Sequence, residues 1–320
     1  GIYMLYSGPN TGIYFQISLG VLVGTALGAT AMSVPVSEVG KHFSNEKRTI
    51  ATGIVTAAAS IGYFLAPLFT QYTLGTVGWE QTLKYFMYFI LFGLITSLFI
   101  LPKKEASILK TEKKQNFLEA MKEAFSHKGY VLLVAGFFVC GFQITLVGTH
   151  IPGYMQDRGL GGWTATIILS LIGLFNIIGT LGIGYLGTKY SKKILLSILY
   201  FSRAIIIAIF IFSPPSIYIS IFFGITFGLL WLSTVPPTNG IVAQIFGTKY
   251  LNISILFPFL ILKLCFKTLS IMRVSPFDTF LLFRGERTLV LPSFTSSLTH
   301  LLTKMFLFAY ILLISQITKC

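Results

Sequence analysis

The residues from 159 to 193 read GLGGWTATIILSLIGLFNIIGTLGIGYLGTKYSKK, and they contain in one stretch the pattern found along most of the chain. No charged side chain lies between Gly159 and Thr188, and a basic loop with three lysines follows at 189–193. A helix needs roughly 20 apolar residues to cross the hydrocarbon core of a bilayer. The stretch therefore predicts a membrane-spanning helix that ends in a short basic loop.

The rest of the sequence is equally poor in charge. Hydrophobic residues make up 54% of the 320 residues, charged residues make up 11%, and the mean hydropathy is +0.79. A soluble domain carries about 25% charged residues, so lipid is predicted to surround most of this chain. We predict an all-α polytopic membrane protein, with the end of one span at about 1–8 and further spans at about 12–38, 49–72, 82–101, 129–154, 163–187, 194–212 and 217–246.

The lysines and arginines orient these spans. They cluster at 41–48, at 102–128 and at 189–193, with Lys249 after the last span, whereas the alternate loops at 71–81, 155–162 and 213–216 hold only Arg158. Cytoplasmic loops carry the excess of Lys and Arg, so the first set is predicted to be cytoplasmic. Much of the positive charge behind the net charge of +14 lies in these short clusters between spans, which favours the bilayer as partner and predicts no nucleic-acid partner.

Two segments differ from the pattern of apolar spans. Residues 102–128 hold seven lysines and four glutamates and are predicted to be a cytoplasmic loop between a first helix bundle (1–101) and a second (129–250). Of the 30 glycines, Gly285 alone lies after residue 250, although a helix bundle needs small residues where helices cross. We therefore expect 251–320 to be a divergent tail from a shifted reading frame or non-coding sequence. A genuinely divergent final pair of helices is the alternative.

Three stretches resemble the major facilitator superfamily. Residues 184–193, GYLGTKYSKK, resemble its cytoplasmic G-x-x-x-D-[RK]-x-G-[RK]-[RK] motif, with Thr188 in place of the acidic residue and Ser191 in place of the glycine. Residues 35–67 resemble the fourth and fifth helices of the monocarboxylate and oxalate/formate branch, and 150–159 resemble that branch's seventh-helix exit. The resemblance implies a two-bundle fold of 12 helices, of which the chain holds the end of helix 3 and helices 4–10 as a fragment.

In such folds the substrate binds near the midplane, often beside broken helices. The clearest predicted break is WLSTVPPTNG at 231–240, because Pro236 and Pro237 lack N–H groups and clash with the preceding turn. A kink that only shapes a gate is an equal alternative. The substrate-path residues predicted at this break are Trp231, Ser233, Thr234 and Asn239.

Three further polar side chains are predicted to line the path. Gln143 and His150 are seven residues apart, hence on one face of a helix, and an amide within a span is expected to face the bundle interior. His150 could carry a coupled proton, since histidine titrates near physiological pH, or it could only hydrogen-bond locally at headgroup level. Asn176 lies in the middle of its span.

Other residues are assigned gating or structural roles. Arg203 lies inside a span with no acidic residue within a turn, about two turns from the cytoplasmic end, where it could snorkel to the surface. Its helix is peripheral in the resembled fold, which favours a structural role. Glu38 and Arg48 are predicted to form a cytoplasmic gate or orientation pair. Lys189 is predicted to reach water or lipid phosphates, as is Lys249.

No catalytic constellation is present in the sequence. It contains no P-loop, no G-x-S-x-G and no His/Cys/Asp cluster, and Cys140, Cys265 and Cys320 lack metal-ligand spacing. We predict that the chain is not an enzyme and needs no cofactor.

The resemblance implies secondary active transport of a small organic solute by alternating access, as symport or antiport, in the cell membrane. An organic anion such as a carboxylate is the preferred substrate class, although 163–187 lacks the cation that the carboxylate-handling branch often carries in its eighth helix. The competing hypothesis is a truncated, non-transporting membrane protein with no activity of its own.

Overall fold

The computed structural model describes residues 1–8, 14, 16–23, 25–26, 35–36, 39, 43–44, 47–99, 122 and 125–246. The tail at 251–320, most of the predicted loop at 102–128 and Glu38 lie outside the described residues. The described elements are helical: α1 (Ile2–Ser7), the π-helical α2 (Gln16–Val23), α3 (Arg48–Phe99), α4 (Lys128–Asp157), α5 (Gly161–Lys189), α6 (Lys192–Phe212), α7 (Ile217–Leu230) and α8 (Val235–Phe246).

Within the described residues, four helical stretches are long and apolar enough to cross a bilayer: Arg48–Thr96, Gly161–Lys189, Lys192–Phe212 and Ile217–Ile245. Their outward faces carry large apolar side chains, such as Phe92, Ile178 and Ile194, which lipid can cover at no cost but water cannot. The predicted all-α membrane architecture is confirmed. Within the predicted second span, the described segment Gln16–Val23 is π-helical rather than α-helical.

Helix α3 doubles back on itself at Gly78. The backbone there has φ 80° and ψ 175°, a conformation open to glycine but strained for residues with a Cβ. The rings of Phe69 and Phe89 lie 5.4 Å apart, whereas 20 residues of straight helix would separate them by about 30 Å. The two predicted spans at 49–72 and 82–101 are therefore two arms of a hairpin. The turn lies within the predicted loop at 71–81, but it is shorter than predicted, because one glycine makes it and helix continues on both sides.

Helix α5 lies between the first arm of α3 and helix α7. A Cβ on Gly173 would overlap the backbone of Tyr63 and Phe64, and a Cβ on Gly179 would overlap the carbonyl of Leu229. Glycine thus permits backbone-to-backbone contact on two sides of one helix, as membrane bundles require. These contacts place the middle of α5 directly against the gap between α7 and α8.

Stacked aromatic rings join α6 to α7. The rings of Phe210, Phe223, Phe227 and Trp231 follow one another with centroid separations of 4.1, 4.9 and 5.4 Å. They belong to a buried apolar cluster that also takes in Val147 of α4 and Ile172 of α5. The stack ends at Trp231, the first residue after α7.

We predict that Gly179→Ala lowers the melting temperature of the purified protein in detergent, because the added methyl group must push α5 away from α7. Overpacking of this kind costs about 1–3 kcal/mol. Gly182→Ala is the matched control, since a Cβ there meets no atom within 4 Å. Equal melting temperatures for the two variants would contradict the close α5–α7 contact.

Candidate functional site

The chain leaves helical conformation between α7 and α8. Helix α7 ends at Leu230 and α8 begins at Val235, so that residues 231–234 form the gap. Pro236 and Pro237 lie in the first turn of α8, where a helix does not use its backbone N–H groups. The predicted break is confirmed, but it precedes the prolines, which start the next helix instead of bending a continuous one.

The carbonyl groups at the end of α7 have no intrahelical donors, and side chains and turns inside the bundle satisfy them. The carbonyl of Gly228 accepts from Trp231 N–H at 3.0 Å, and that of Leu229 accepts from the Ser233 hydroxyl at 2.6 Å. The Leu232 carbonyl, whose donor in a continuous helix would be the N–H that Pro236 lacks, accepts from Val235 N–H at 2.9 Å. The carbonyls of Leu230 and Trp231 remain, and their donor comes from another helix.

Arg203 of α6 supplies that donor. Its Nη2 donates to the carbonyl oxygens of Leu230 and Trp231, the second at 2.8 Å. A positive charge is favoured at this position because the C-terminal end of a helix carries a partial negative charge. The guanidinium is also 5.8 Å from the centre of the Tyr200 ring and 5.9 Å from that of Phe227, which adds cation–π attraction.

Arg203 does not snorkel. Its side chain has 0% exposure, and it lies about 16 Å along α6 from Lys192, in the middle of the helix. The snorkelling alternative is therefore wrong, because the tip of the side chain binds backbone inside the bundle. Among the residues that the structure describes, no carboxylate pairs with this guanidinium, and its Nε has no hydrogen-bond acceptor.

Helix α4 contributes Cys140 and Gln143 to the same cluster. Nη1 of Arg203 donates to Gln143 Oε1 at 3.3 Å and to Cys140 Sγ at 3.1 Å. The Cys140 sulfur is also 3.2 Å from Thr234 Oγ1 in the gap. Gln143 and Thr234, both predicted from the sequence, thus meet around a residue to which only a structural or gating role was assigned.

Asn176 reaches the gap from α5. Its Oδ1 accepts from the backbone N–H of Leu232 at 2.8 Å, and its Nδ2 donates to Ser60 Oγ of α3 at 2.6 Å. Ser60 was missed, although a signal for it exists in the sequence. Thr52, Thr56 and Ser60 repeat every four residues within an apolar run, and each is fully buried.

Among the residues that the structure describes, three N–H donors at or beside the gap have no acceptor. They are Nε of Arg203, Nε1 of Trp231 and Nδ2 of Asn239, each on a buried residue. The edge of the Trp231 ring faces Tyr63 of α3, with the ring centres 6.3 Å apart. The gap therefore has more hydrogen-bond donors than its own acceptors can use.

The remaining predicted residues lie away from this cluster. His150 is half-buried two turns beyond Gln143 on α4. Arg48 is buried at the start of α3 and donates to the Phe43 carbonyl at 3.2 Å. Lys189 is exposed at the end of α5, with Nζ 4.6 Å from the centre of the Tyr185 ring. The structure thus brings together the residues of the helix break with Gln143 and Asn176, and it leaves the cytoplasmic residues outside.

The family model for the Major Facilitator Superfamily matches residues 1–259. The chain belongs to this superfamily. The resemblance predicted from the sequence is thereby confirmed, and the chain is an integral membrane protein of a family of transporters rather than enzymes.

Relatives within the superfamily are distant. The "MFS transporter asaE" of Aspergillus flavus is 20% identical over 74% of this chain and 53% of its own length. The "MFS-type transporter pytF" of Aspergillus terreus is 21% identical over 56% of this chain and 60% of its own. The "Monocarboxylate transporter 12-B" of Danio rerio is 22% identical over 56% of this chain and 43% of its own. The chain spans about half the length of the curated relatives it matches.

We predict that Arg203→Met lowers the melting temperature by roughly 4 to 8 °C, because it removes the side-chain donor to the carbonyls of Leu230 and Trp231 inside the bundle. The melting temperature of Arg203→Lys should lie between those of the wild type and Arg203→Met, because one ammonium group cannot reproduce the forked contacts of the guanidinium. The control is Arg158→Met, whose side chain is exposed at the end of α4. An unchanged melting temperature for Arg203→Met would contradict the assigned contacts.

Proposed function

We propose that the chain is part of a secondary transporter that carries a small organic anion, such as a carboxylate, across the cell membrane by alternating access. The proposed binding site is the gap at 231–234 with the side chains that converge on it. The observation that carries this proposal is the fully buried guanidinium of Arg203 without a carboxylate partner among the described residues.

A buried charge without a counter-charge is costly, by several kcal/mol even after the protein relaxes. Neutral acceptors and two rings reduce this cost at Arg203, but none of them carries a full negative charge. A substrate anion would supply that charge on binding. The monocarboxylate transporter among the relatives supports the same substrate class.

The unused hydrogen bonds also favour an anion. The unpartnered N–H groups of Arg203, Trp231 and Asn239 are donors, and a carboxylate has two oxygens that only accept. A cationic substrate would bring further donors and would be repelled by the guanidinium. We assign the carboxylate to Arg203 Nε and Trp231 Nε1, with Asn239 as a further donor.

The cation in this proposal comes from a different helix than the resemblance implies. The eighth helix of the resembled fold corresponds to α5, which has no cation before Lys189. Arg203 of α6 would supply the charge instead, because it extends into the bundle to the end of α7. This answers the objection that the missing cation raised against a carboxylate substrate.

The sharpest variant for this proposal is Trp231→Phe, which keeps an aromatic ring but removes the indole N–H. In proteoliposomes, we expect it to raise the KM for carboxylate uptake about 10-fold, the value of one hydrogen bond to a charged group, with an unchanged melting temperature. Trp163→Phe is the control, because that indole is exposed on α5.

Two results would contradict the proposal. Equal KM values for Trp231→Phe and wild type would show that the indole N–H does not bind the substrate. Equal uptake by vesicles with and without the protein would favour the competing hypothesis of a membrane protein that does not transport.

We further propose that His150 carries a proton coupled to the anion, since it lies on the same helix as Gln143 and histidine is the side chain whose ordinary pKa lies nearest to neutral pH. An inward proton gradient should then accelerate uptake by the wild type, and His150→Gln should abolish this acceleration while leaving uptake without a gradient. The measurement is uptake with and without a pH difference. A gradient effect that persists in His150→Gln would rule out this role.

A further inference from the structure

Asn176 forms a hydrogen-bonded bridge between two parts of the molecule that alternating access would move apart. The bridge runs from Ser60 on α3, through Asn176 on α5, to the backbone of Leu232 in the gap, and we call it the Ser60–Asn176–Leu232 bridge. Asn176 and Ser60 both have 0% exposure. The first arm of α3 belongs to the predicted first bundle, and α5 and the gap belong to the second.

The orientation of the Asn176 amide is determined by its partners. A backbone N–H can only donate, so the atom that faces Leu232 must be Oδ1, and the atom that faces Ser60 is then Nδ2. The Ser60 hydroxyl accepts from Nδ2 and donates its own proton to the Thr56 carbonyl at 2.9 Å. Every member of the bridge thus has one consistent role, and reversing the amide would place two donors face to face.

The backbone of the gap depends on this bridge for one of its hydrogen bonds. Leu232 lies outside both helices, and its N–H would lack an acceptor if Asn176 turned away. The Leu232 residue directly follows Trp231, whose carbonyl binds Arg203. The hydrogen bond to Asn176 therefore helps to position the backbone next to the carbonyl that binds the guanidinium.

We propose that Asn176 is a positioning residue that couples contact between the two bundles to the shape of the anion site. While α3 lies against α5, Ser60 holds the amide toward Leu232 and keeps the gap in the described conformation. When α3 separates from α5, the amide is released and the gap is free to rearrange. This inference rests on the proposed function for its purpose, but its test needs no substrate.

The reporter for the test is Cys140, which has 1% exposure and contacts both Arg203 and Thr234. The rate at which a membrane-permeant maleimide alkylates it measures how often the cluster at the gap opens. The full chain carries Cys265→Ser and Cys320→Ser so that the label reports Cys140 alone. Ser60 makes its side-chain bonds on α3 and to Asn176, so any effect on Cys140 must travel through the bridge.

We expect Ser60→Ala to accelerate alkylation of Cys140 about 3- to 10-fold, the range that corresponds to loss of one net hydrogen bond. Ser60→Thr, which keeps the hydroxyl, should stay near the wild-type rate. The second variant is Asn176→Asp. The protonated aspartic acid can accept a hydrogen bond from Leu232 N–H and donate one to Ser60, so its rate of Cys140 alkylation should also stay near that of the wild type.

Thr166→Val is the matched control. The Thr166 hydroxyl donates to Gln71 Oε1 at 3.4 Å, so it bridges the same two helices, but it does not contact the gap. It should leave the rate of Cys140 alkylation unchanged. A wild-type rate in Ser60→Ala, or equal acceleration by Ser60→Ala and Thr166→Val, would overturn the inference.

Two outcomes separate this inference from the proposed function. Acceleration by Ser60→Ala in a protein that takes up no carboxylate would support the bridge and contradict the function. Carboxylate uptake in a protein whose Cys140 does not respond to Ser60→Ala would support the function and overturn the bridge.

Discussion

The hydrogen bonds from Arg203 to the end of α7 are the contacts on which the site depends. A helix that stops inside a bilayer leaves carbonyl groups that lipid cannot satisfy. Ser233 and the turn at 231–234 satisfy part of them, and the guanidinium satisfies the carbonyls of Leu230 and Trp231. Because the donor is a cation, the same contact that permits the break also places a positive charge at it.

The architecture around this contact follows from glycine and from aromatic stacking. Close approach at Gly173 and Gly179 brings α5 between α3 and α7, and that position lets Asn176 reach both. The ring stack from Phe210 to Trp231 keeps α6 beside α7, so that Arg203 reaches the end of α7. The polar cluster is therefore a consequence of apolar packing, which sets the distances at which its hydrogen bonds form.

Much of the fold could be predicted from the sequence, because lipid imposes length and composition on each span. The break could be predicted too, since two adjacent prolines cannot continue a helix. The turn between the two arms of α3 could be placed within 71–81, where polar residues interrupt the apolar pattern. It could not be assigned to Gly78, because Gly75 lies in the same segment and only the structure shows which glycine adopts a positive φ.

The partners within the site were the least predictable part. Gln143, Thr234 and Asn176 stand out as polar residues in apolar spans. Arg203 was assigned a structural or gating role, because the position of its side chain within the bundle depends on three other helices. Ser60 is a hydroxyl among several with the same spacing, and only the position of Asn176 distinguishes it. Spacing along one helix identifies a buried face, whereas the residue opposite that face is set by tertiary packing.

The central claim is that the positive charge at the helix break receives an anion. Isothermal titration calorimetry of the purified full chain, with a short monocarboxylate and with its neutral primary amide, tests this claim most directly, because the two ligands share their shape and differ in charge. We predict binding of the carboxylate that is at least about 10-fold tighter than binding of the amide. Equal affinity for the two ligands, or binding of neither, would contradict the account.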